Sequence, residues 1–211
     1  MTGEILRVAD LHRDCRVLGP GSRFAVWVQG CPLSCPGCIS PQWIPFDGGR
    51  AMDVDTLAEE IADTAVDGLT ISGGEPFAQA PALTRLVAAV RERRDLSVLC
   101  YSGYRLSWLR ERGDTAQRDL LSRLDVLIDG PYSARLHADL RWRGSSNQRV
   151  HRLSSRDLPG FDGPDVSAGL QLEVTAGGDV QWLGVPPIPG FRQEFERRLG
   201  LAPAVGQEAA R

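Results

Sequence analysis

Short apolar runs alternate with amphipathic stretches along the first two-thirds of the chain, and that alternation predicts the elements. Ile5-Leu6-Arg7-Val8 reads as a first strand. The turn Leu18-Gly19-Pro20-Gly21-Ser22-Arg23 leads into a second strand at 24–28. Asp55 is read as the N-cap of a helix that carries Leu57, Ile61, Ala62 and Ala65 on one face and is closed by Gly68. A strand at 69–72, a helix at 81–94, a strand at 96–100, helices at 106–112 and 116–124 and a strand at 125–128 follow. Strands of four or five apolar residues alternating with helices predict βα units on a largely parallel sheet.

Four loops that could carry chemistry each follow a predicted strand: 31–38, 73–76, 102–104 and 129–132. In a barrel or partial barrel of βα units those loops share the face where active sites form. Past residue 154 the pattern changes. Leu170-Gln171-Leu172-Glu173-Val174, the turn Gly177-Gly178-Asp179 and Val180-Gln181-Trp182-Leu183 read as a β-hairpin. A proline-rich stretch and a short helix at 191–199 follow, then an Ala-rich end at 201–211. The expected division is a core at 1–154 and an extension at 155–211 packed on it, the hairpin either completing the sheet, docking a partner or lidding the barrel mouth.

Composition narrows the class. A length of 211 residues suits one sizeable core. A net charge of −3 exerts no global pull toward nucleic acid or anionic membrane. No apolar run is long enough to span a bilayer and the amino terminus has no signal-peptide pattern, so a cytoplasmic protein is expected, with reduced thiols rather than a disulfide framework. All 24 basic residues are arginine, which excludes lysine Schiff-base or general-base chemistry.

The candidate chemistry begins at Gly30-Cys31-Pro32-Leu33-Ser34-Cys35-Pro36-Gly37-Cys38. Three cysteines spaced C-x3-C-x2-C on a loop can point three thiolates at one centre, and in a reduced compartment such a cluster reads as metal ligands. Structural zinc sites and closed clusters take four protein ligands, so three leave a position open. Cys15 and Cys100 stand alone and read as small buried hydrophobes, with completion of a four-cysteine site left open. Gly73-Gly74-Glu75-Pro76, 35 positions after Cys38, is either a tight turn with a solvated glutamate or a segment whose bare backbone can approach a ligand.

The cysteine spacing resembles the cluster motif of radical S-adenosylmethionine (SAM) enzymes, and the Gly-Gly-Glu segment resembles their SAM-binding turn. One departure is Gly37, where many members carry an aromatic residue. The chain is more closely similar to the activating enzymes of anaerobic ribonucleotide reductase. Cys-Pro-Gly-Cys, Gly19-Pro20-Gly21-Ser22-Arg23, Asp125-Val126-Leu127-Ile128-Asp129-Gly130 and Trp142-Arg143-Gly144-Ser145-Ser146-Asn147-Gln148 carry that likeness. Pro131, where lysine is common, and the whole extension depart from it.

The resemblance implies an α/β fold of the radical SAM type, a partial (β/α)6 TIM-like barrel, here with a C-terminal β-hairpin and helix. It implies a [4Fe-4S] cluster on Cys31, Cys35 and Cys38 and SAM on its open iron. Gly37, Ile39, Gly73, Gly74, Glu75, Ser102 and Asp129 would form the cofactor site. The implied reaction is reductive cleavage of SAM to a 5′-deoxyadenosyl radical that makes a glycyl radical on a partner enzyme. The electron would come from a flavodoxin- or ferredoxin-like protein, and no side chain need act as acid or base. Two other readings stay open: direct modification of a peptide or small molecule, with the extension forming the substrate site, and a non-catalytic iron–sulfur or zinc module. Arg141, Arg143, Arg149 and Arg152 read as a solvated basic face, or as a surface for an acidic partner or the SAM carboxylate.

Overall fold

A computed structural model describes residues 3–174, 180–188 and 190–200 of the chain. Its elements in order are β1 (Ile5–Cys15), β2 (Arg23–Val28), β3 (Arg50–Asp53), α1 (Val54–Asp63), β4 (Gly68–Gly73), α2 (Ala80–Arg93), β5 (Ser97–Ser102), α3 (Leu106–Arg112), α4 (Thr115–Ser122), β6 (Val126–Asp129), β7 (His137–Leu140), β8 (Arg143–Ser145), β9 (Arg149–Arg152), β10 (Leu170–Val174), β11 (Val180–Gly184) and α5 (Phe191–Leu199). Seven strands form one mixed sheet in the order β3-β1-β2-β4-β5-β6-β9. β2, β4, β5 and β6 run parallel, while β1, β3 and β9 are antiparallel to their neighbours. The fold is therefore mixed α/β with four parallel strands, and no closed barrel forms among the described residues.

Both faces of this sheet are covered, which is why its central strands are mostly apolar; every residue of β2 is buried, Arg23 included. One face packs Val26, Ile71, Cys100 and Leu127 against Leu57 and Ile61 of α1, Leu83, Leu86 and Val90 of α2, and Leu120 of α4. The other face carries two smaller clusters: Cys15, Val17, Ala25, Trp27 and Leu183, and Leu99, Val126, Ile128, Trp142 and Leu158. Leu158 and Leu183 come from beyond residue 154, so part of the chain's second core is built by the extension.

Boundaries moved where a side chain found an unforeseen partner. The N-cap of α1 is Asp53, whose carboxylate accepts from the Thr56 amide at 2.9 Å, whereas Asp55 pairs with Arg85 at 2.8 Å. β1 runs on to Cys15 although Asp10, His12, Arg13 and Asp14 break its alternation. Those polar groups are met by the hairpin: His12 Nε2 lies 2.9 Å from Glu173, Gln181 donates to Asp10 at 3.2 Å, and Gln171 donates to the Asp14 carbonyl at 2.8 Å. β10 and β11 pair antiparallel as the expected hairpin but form a two-stranded sheet of their own rather than completing the large one, and the turn at 177–179 and the end at 201–211 lie outside the described residues.

Candidate metal centre

The cysteine loop leaves β2 and returns to it. Gly30 and Cys31 donate their amides to the carbonyls of Trp43 and Ile44, each at 2.9 Å, which closes the excursion at its base. Buried Gln29 ties the base further, donating to the carbonyls of Gln42 (3.2 Å) and Pro45 (2.7 Å). Inside the loop Ser34 (φ 45°) and Gly37 (φ 72°) take left-handed backbone, which turns the chain sharply enough to bring the cysteines to one cavity. Cys31, Cys35 and Cys38 all line that cavity and all are partly exposed. Cys15 and Cys100 are fully buried in clusters on opposite faces of the sheet and do not line it.

The glycine segment is tied to the same loop. β2 and β4 are parallel neighbours, so the loops that follow them emerge side by side. The Gly74 amide donates to Val28 O at 2.7 Å and the Glu75 amide to Gly30 O at 2.9 Å. Gly73 sits at φ 107°, and a Cβ there would strike the backbone of Val28; one at Gly74 would strike the carbonyl of Gly30. Two glycines are therefore required for the segment to lie flat against the cysteine loop.

Glu75 is not a solvated turn residue. It is 1% exposed. Its carboxylate accepts from the Phe77 amide (3.0 Å), the Ser102 hydroxyl (3.0 Å) and the Gly103 amide (2.8 Å). Burial nevertheless outweighs those three donors and pushes its pKa up to about 7. No cationic side chain pairs with it among the described residues. Burial also raises the thiols of Cys35 and Cys38, partly offset at Cys38 by the Ser40 amide, which donates to Sγ at 3.4 Å.

Of the other residues named from sequence, Ile39 and Ser102 line the cavity; Gly37 and Asp129 do not. Asp129 stands with its carboxylate accepting from the Leu106 amide at 2.6 Å, capping α3, and with His151 Nε2 3.1 Å away; its Oδ1 is buried without a partner. Gly130 takes the place on the cavity wall. The Trp142–Gln148 segment explains itself here. Gln148 accepts from the amides of Gly144 and Ser145 and donates to Gly130 O, while Asn147 donates to Pro131 O, so two amide side chains fix the loop after β6. Gln148, Tyr101, Tyr132 and Trp142 line the cavity too. Gln148 and Trp142 stood in a quoted motif and Tyr132 in one of the four loops after strands, whereas nothing in the sequence singled out Tyr101.

Three of the four arginines around that segment reach the extension, while Arg149 is exposed as a solvated face would have it. Arg143 forms a two-point pair with Asp165 (2.7 and 2.6 Å), Arg141 lies over Trp142 at 4.5 Å, and Arg152 lies over Phe161 at 5.5 Å.

Among the described residues no three His, Cys, Asp or Glu side chains converge closely enough to share one metal ion. Thiolates that each bind a different iron of a cuboidal cluster stand further apart than ligands of a single ion, so the donor set suits a cluster better than mononuclear zinc. Fold and site thus define a mixed α/β protein with a thiol-lined cavity at the carboxyl ends of parallel strands. The 4Fe-4S single cluster domain family matches residues 17–151, and the chain belongs to that family. It is 35% identical to the anaerobic ribonucleoside-triphosphate reductase-activating protein of Vibrio cholerae over 147 residues, 65% of this chain and 92% of that protein. The proteins of that name from Escherichia coli K12 (34% identical, 65% and 92% covered) and from enterobacteria phage T4 (31%, 64% and 86%) are similar to it over the same share. No described helix is long and apolar enough to cross a membrane.

Proposed function

We propose that the chain is a radical SAM activating enzyme that generates a glycyl radical on an anaerobic ribonucleotide reductase or a closely related glycyl-radical enzyme. The observation that carries this reading is the joining of three thiols, Gly73–Gly74 and the buried, cation-free Glu75 in a single cavity. The names of the relatives add to it. The four parallel strands then correspond to part of the radical SAM partial barrel, with residues 1–154 as its core and 155–211 as an added unit.

In this reading Cys31, Cys35 and Cys38 hold a [4Fe-4S] cluster, and Gly73, Gly74 and Glu75 receive the amino end of SAM. When bound, cluster and SAM together would supply the reductive cleavage and radical chemistry needed to take hydrogen from a glycine of the partner. The protein's own part is placement and protonation. Cys35 and Cys38 release their protons on ligation, against the burial that raises them. Glu75 loses its proton when an ammonium arrives, because the buried carboxylate then gains the cation it lacks. Ser102 and the Gly103 amide hold that carboxylate in place, Ile39 supplies an apolar wall, Gly37 lets the loop turn, and Asp129 acts from behind by fixing α3. A flavodoxin- or ferredoxin-like protein would supply the electron, in a cytoplasm that keeps the thiols reduced.

The test is anaerobic reconstitution with iron and sulfide, reduction, addition of SAM and assay of 5′-deoxyadenosine by mass spectrometry. Formation that Cys38→Ala abolishes supports the reading. A fully loaded cluster that leaves SAM intact overturns it.

A further inference from the structure

The family match ends at residue 151, yet the cavity beside the thiols is walled in part by Gly184 and Val185, at the end of β11. The hairpin that carries them is anchored on both sides of Val185. Upstream, Leu183 is 2% exposed and packs with Cys15, Val17, Leu18, Ala25 and Trp27. Gly184 sits at φ 98°, where a Cβ would press on Val17 and the Gly169 carbonyl, so glycine lets the strand end lie close against the core. Downstream, His137 Nε2 lies 2.9 Å from the Pro186 carbonyl, and its Nδ1 lies 3.0 Å from the hydroxyl of Tyr132, another wall residue. A carbonyl only accepts, so Nε2 carries the proton, and in the neutral ring Nδ1 receives the tyrosine hydroxyl.

The walls of the cavity differ in character. Cys31, Cys35, Cys38, Glu75 and Ser102 present sulfur and oxygen, while Leu18, Trp27, Tyr101, Trp142 and Val185 present carbon surface. SAM has the same two-part character, an ionic amino-acid end and a flat purine.

We propose that Gly184 and Val185 form a wall of the SAM site, so that the site is completed in cis by a segment lying outside the family match. The proposal rests on the radical SAM reading given above. In outline, the extension holds one apolar residue at the cavity between a buried leucine and a histidine-bound carbonyl, and the purine is the part of the cofactor an apolar wall suits.

Hydrogen–deuterium exchange on the cluster-loaded full chain, with and without SAM, separates the outcomes. Slowed exchange at both Gly73–Glu75 and Trp182–Val185 is expected. Protection at Gly73–Glu75 alone overturns the wall while leaving the radical SAM reading intact; protection at neither overturns both. Equilibrium binding of SAM to Val185→Trp, at unchanged iron content, is expected to weaken by about tenfold or more as the indole fills the cavity, with Val185→Ala within about threefold of the unsubstituted chain. Unchanged affinity in Val185→Trp overturns the proposal, and if that variant fails to load iron the exchange experiment decides.

Discussion

Arg23 and Glu75 are buried at opposite ends of the parallel strands, and the two ends treat them differently. At the amino ends Arg23, 1% exposed, spends its donors on Thr70 Oγ1 (2.8 Å), Ser97 Oγ (2.8 Å) and the carbonyls of Leu69 (2.6 Å), Ser97 (3.2 Å) and Pro20 (3.3 Å). No carboxylate pairs with it among the described residues, and burial lowers its pKa to about 10. At the carboxyl ends Glu75 has three donors and no cation, but it lies on an open cavity. Arg23 is sealed by five acceptors and has nothing left to offer a ligand. Glu75 is held by neutral groups only, so its charge remains available to a cation that enters. A buried charge marks a site only where something can reach it.

The largest effect expected of any change to this pair comes from Arg23→Met. Methionine fills much of the volume but leaves the acceptors around the guanidinium without donors. Buried acceptors cost about 1–3 kcal/mol each and do not sum, so a loss of roughly 3–5 kcal/mol is expected in urea unfolding of the cluster-free chain. A loss below about 1 kcal/mol would show that water or rearrangement replaces the guanidinium.

Glu75→Gln addresses the other end. An acid whose pKa is 4.5 unfolded and about 7 folded holds its proton more tightly in the native state. Its contribution to stability is complete below pH 4.5 and is lost as pH rises to about 7. Glutamine stays neutral, so the variant should gain on the unsubstituted chain between those limits, by up to about 3 kcal/mol. Measuring urea midpoints of both proteins across that range checks the slope; parallel curves would mean Glu75 is ionised in the cluster-free fold. The same substitution should weaken SAM binding to the loaded protein, because an amide cannot neutralise an ammonium.

Much of this contrast was legible in part. Apolar runs bounded by Gly and Pro located the parallel strands to within a residue or two, because strands buried on both faces leave few other patterns. Adjacency of β2 and β4 is what turned two motifs 35 positions apart into one site, and the order of loops after strands implied as much. What sequence hid were roles set by partners. Gly68 reads as the end of a helix, yet a Cβ there would collide with Arg23 Nη1, so its absence makes room for the guanidinium. The residues alone leave Glu75 open between a solvated turn and a ligand-facing segment, because the groups that bury it, Ser102 and Gly103, lie a strand away. Arg143 reads as free charge because Asp165, which takes it, sits in a loop with no periodicity.

Thr70→Val tests how finely the sealed end is balanced. The Thr70 hydroxyl accepts from Arg23 Nε and donates to the Leu18 carbonyl at 2.9 Å, so valine keeps the shape and removes one acceptor and one donor. A loss of about 1–2 kcal/mol is expected, with no change in the pH dependence, since neither partner titrates near neutrality.

Ser102→Ala is the matching change at the open end, and the smaller one in stability. Its hydroxyl donates to Glu75 Oε1 and accepts from the Tyr104 amide at 3.0 Å; alanine removes both contacts, at roughly 1 kcal/mol. The diagnostic effect is on protonation. The serine hydrogen bond is one of the contributions that hold the Glu75 pKa down against burial, so its loss should move the midpoint above about 7. The pH at which the stability curve flattens would then shift to the alkaline side. In Thr70→Val it would stay put. If Ser102→Ala lowered stability by the same amount at every pH, the hydroxyl would be bonding Tyr104 alone, and the carboxylate would rest on the Phe77 and Gly103 amides.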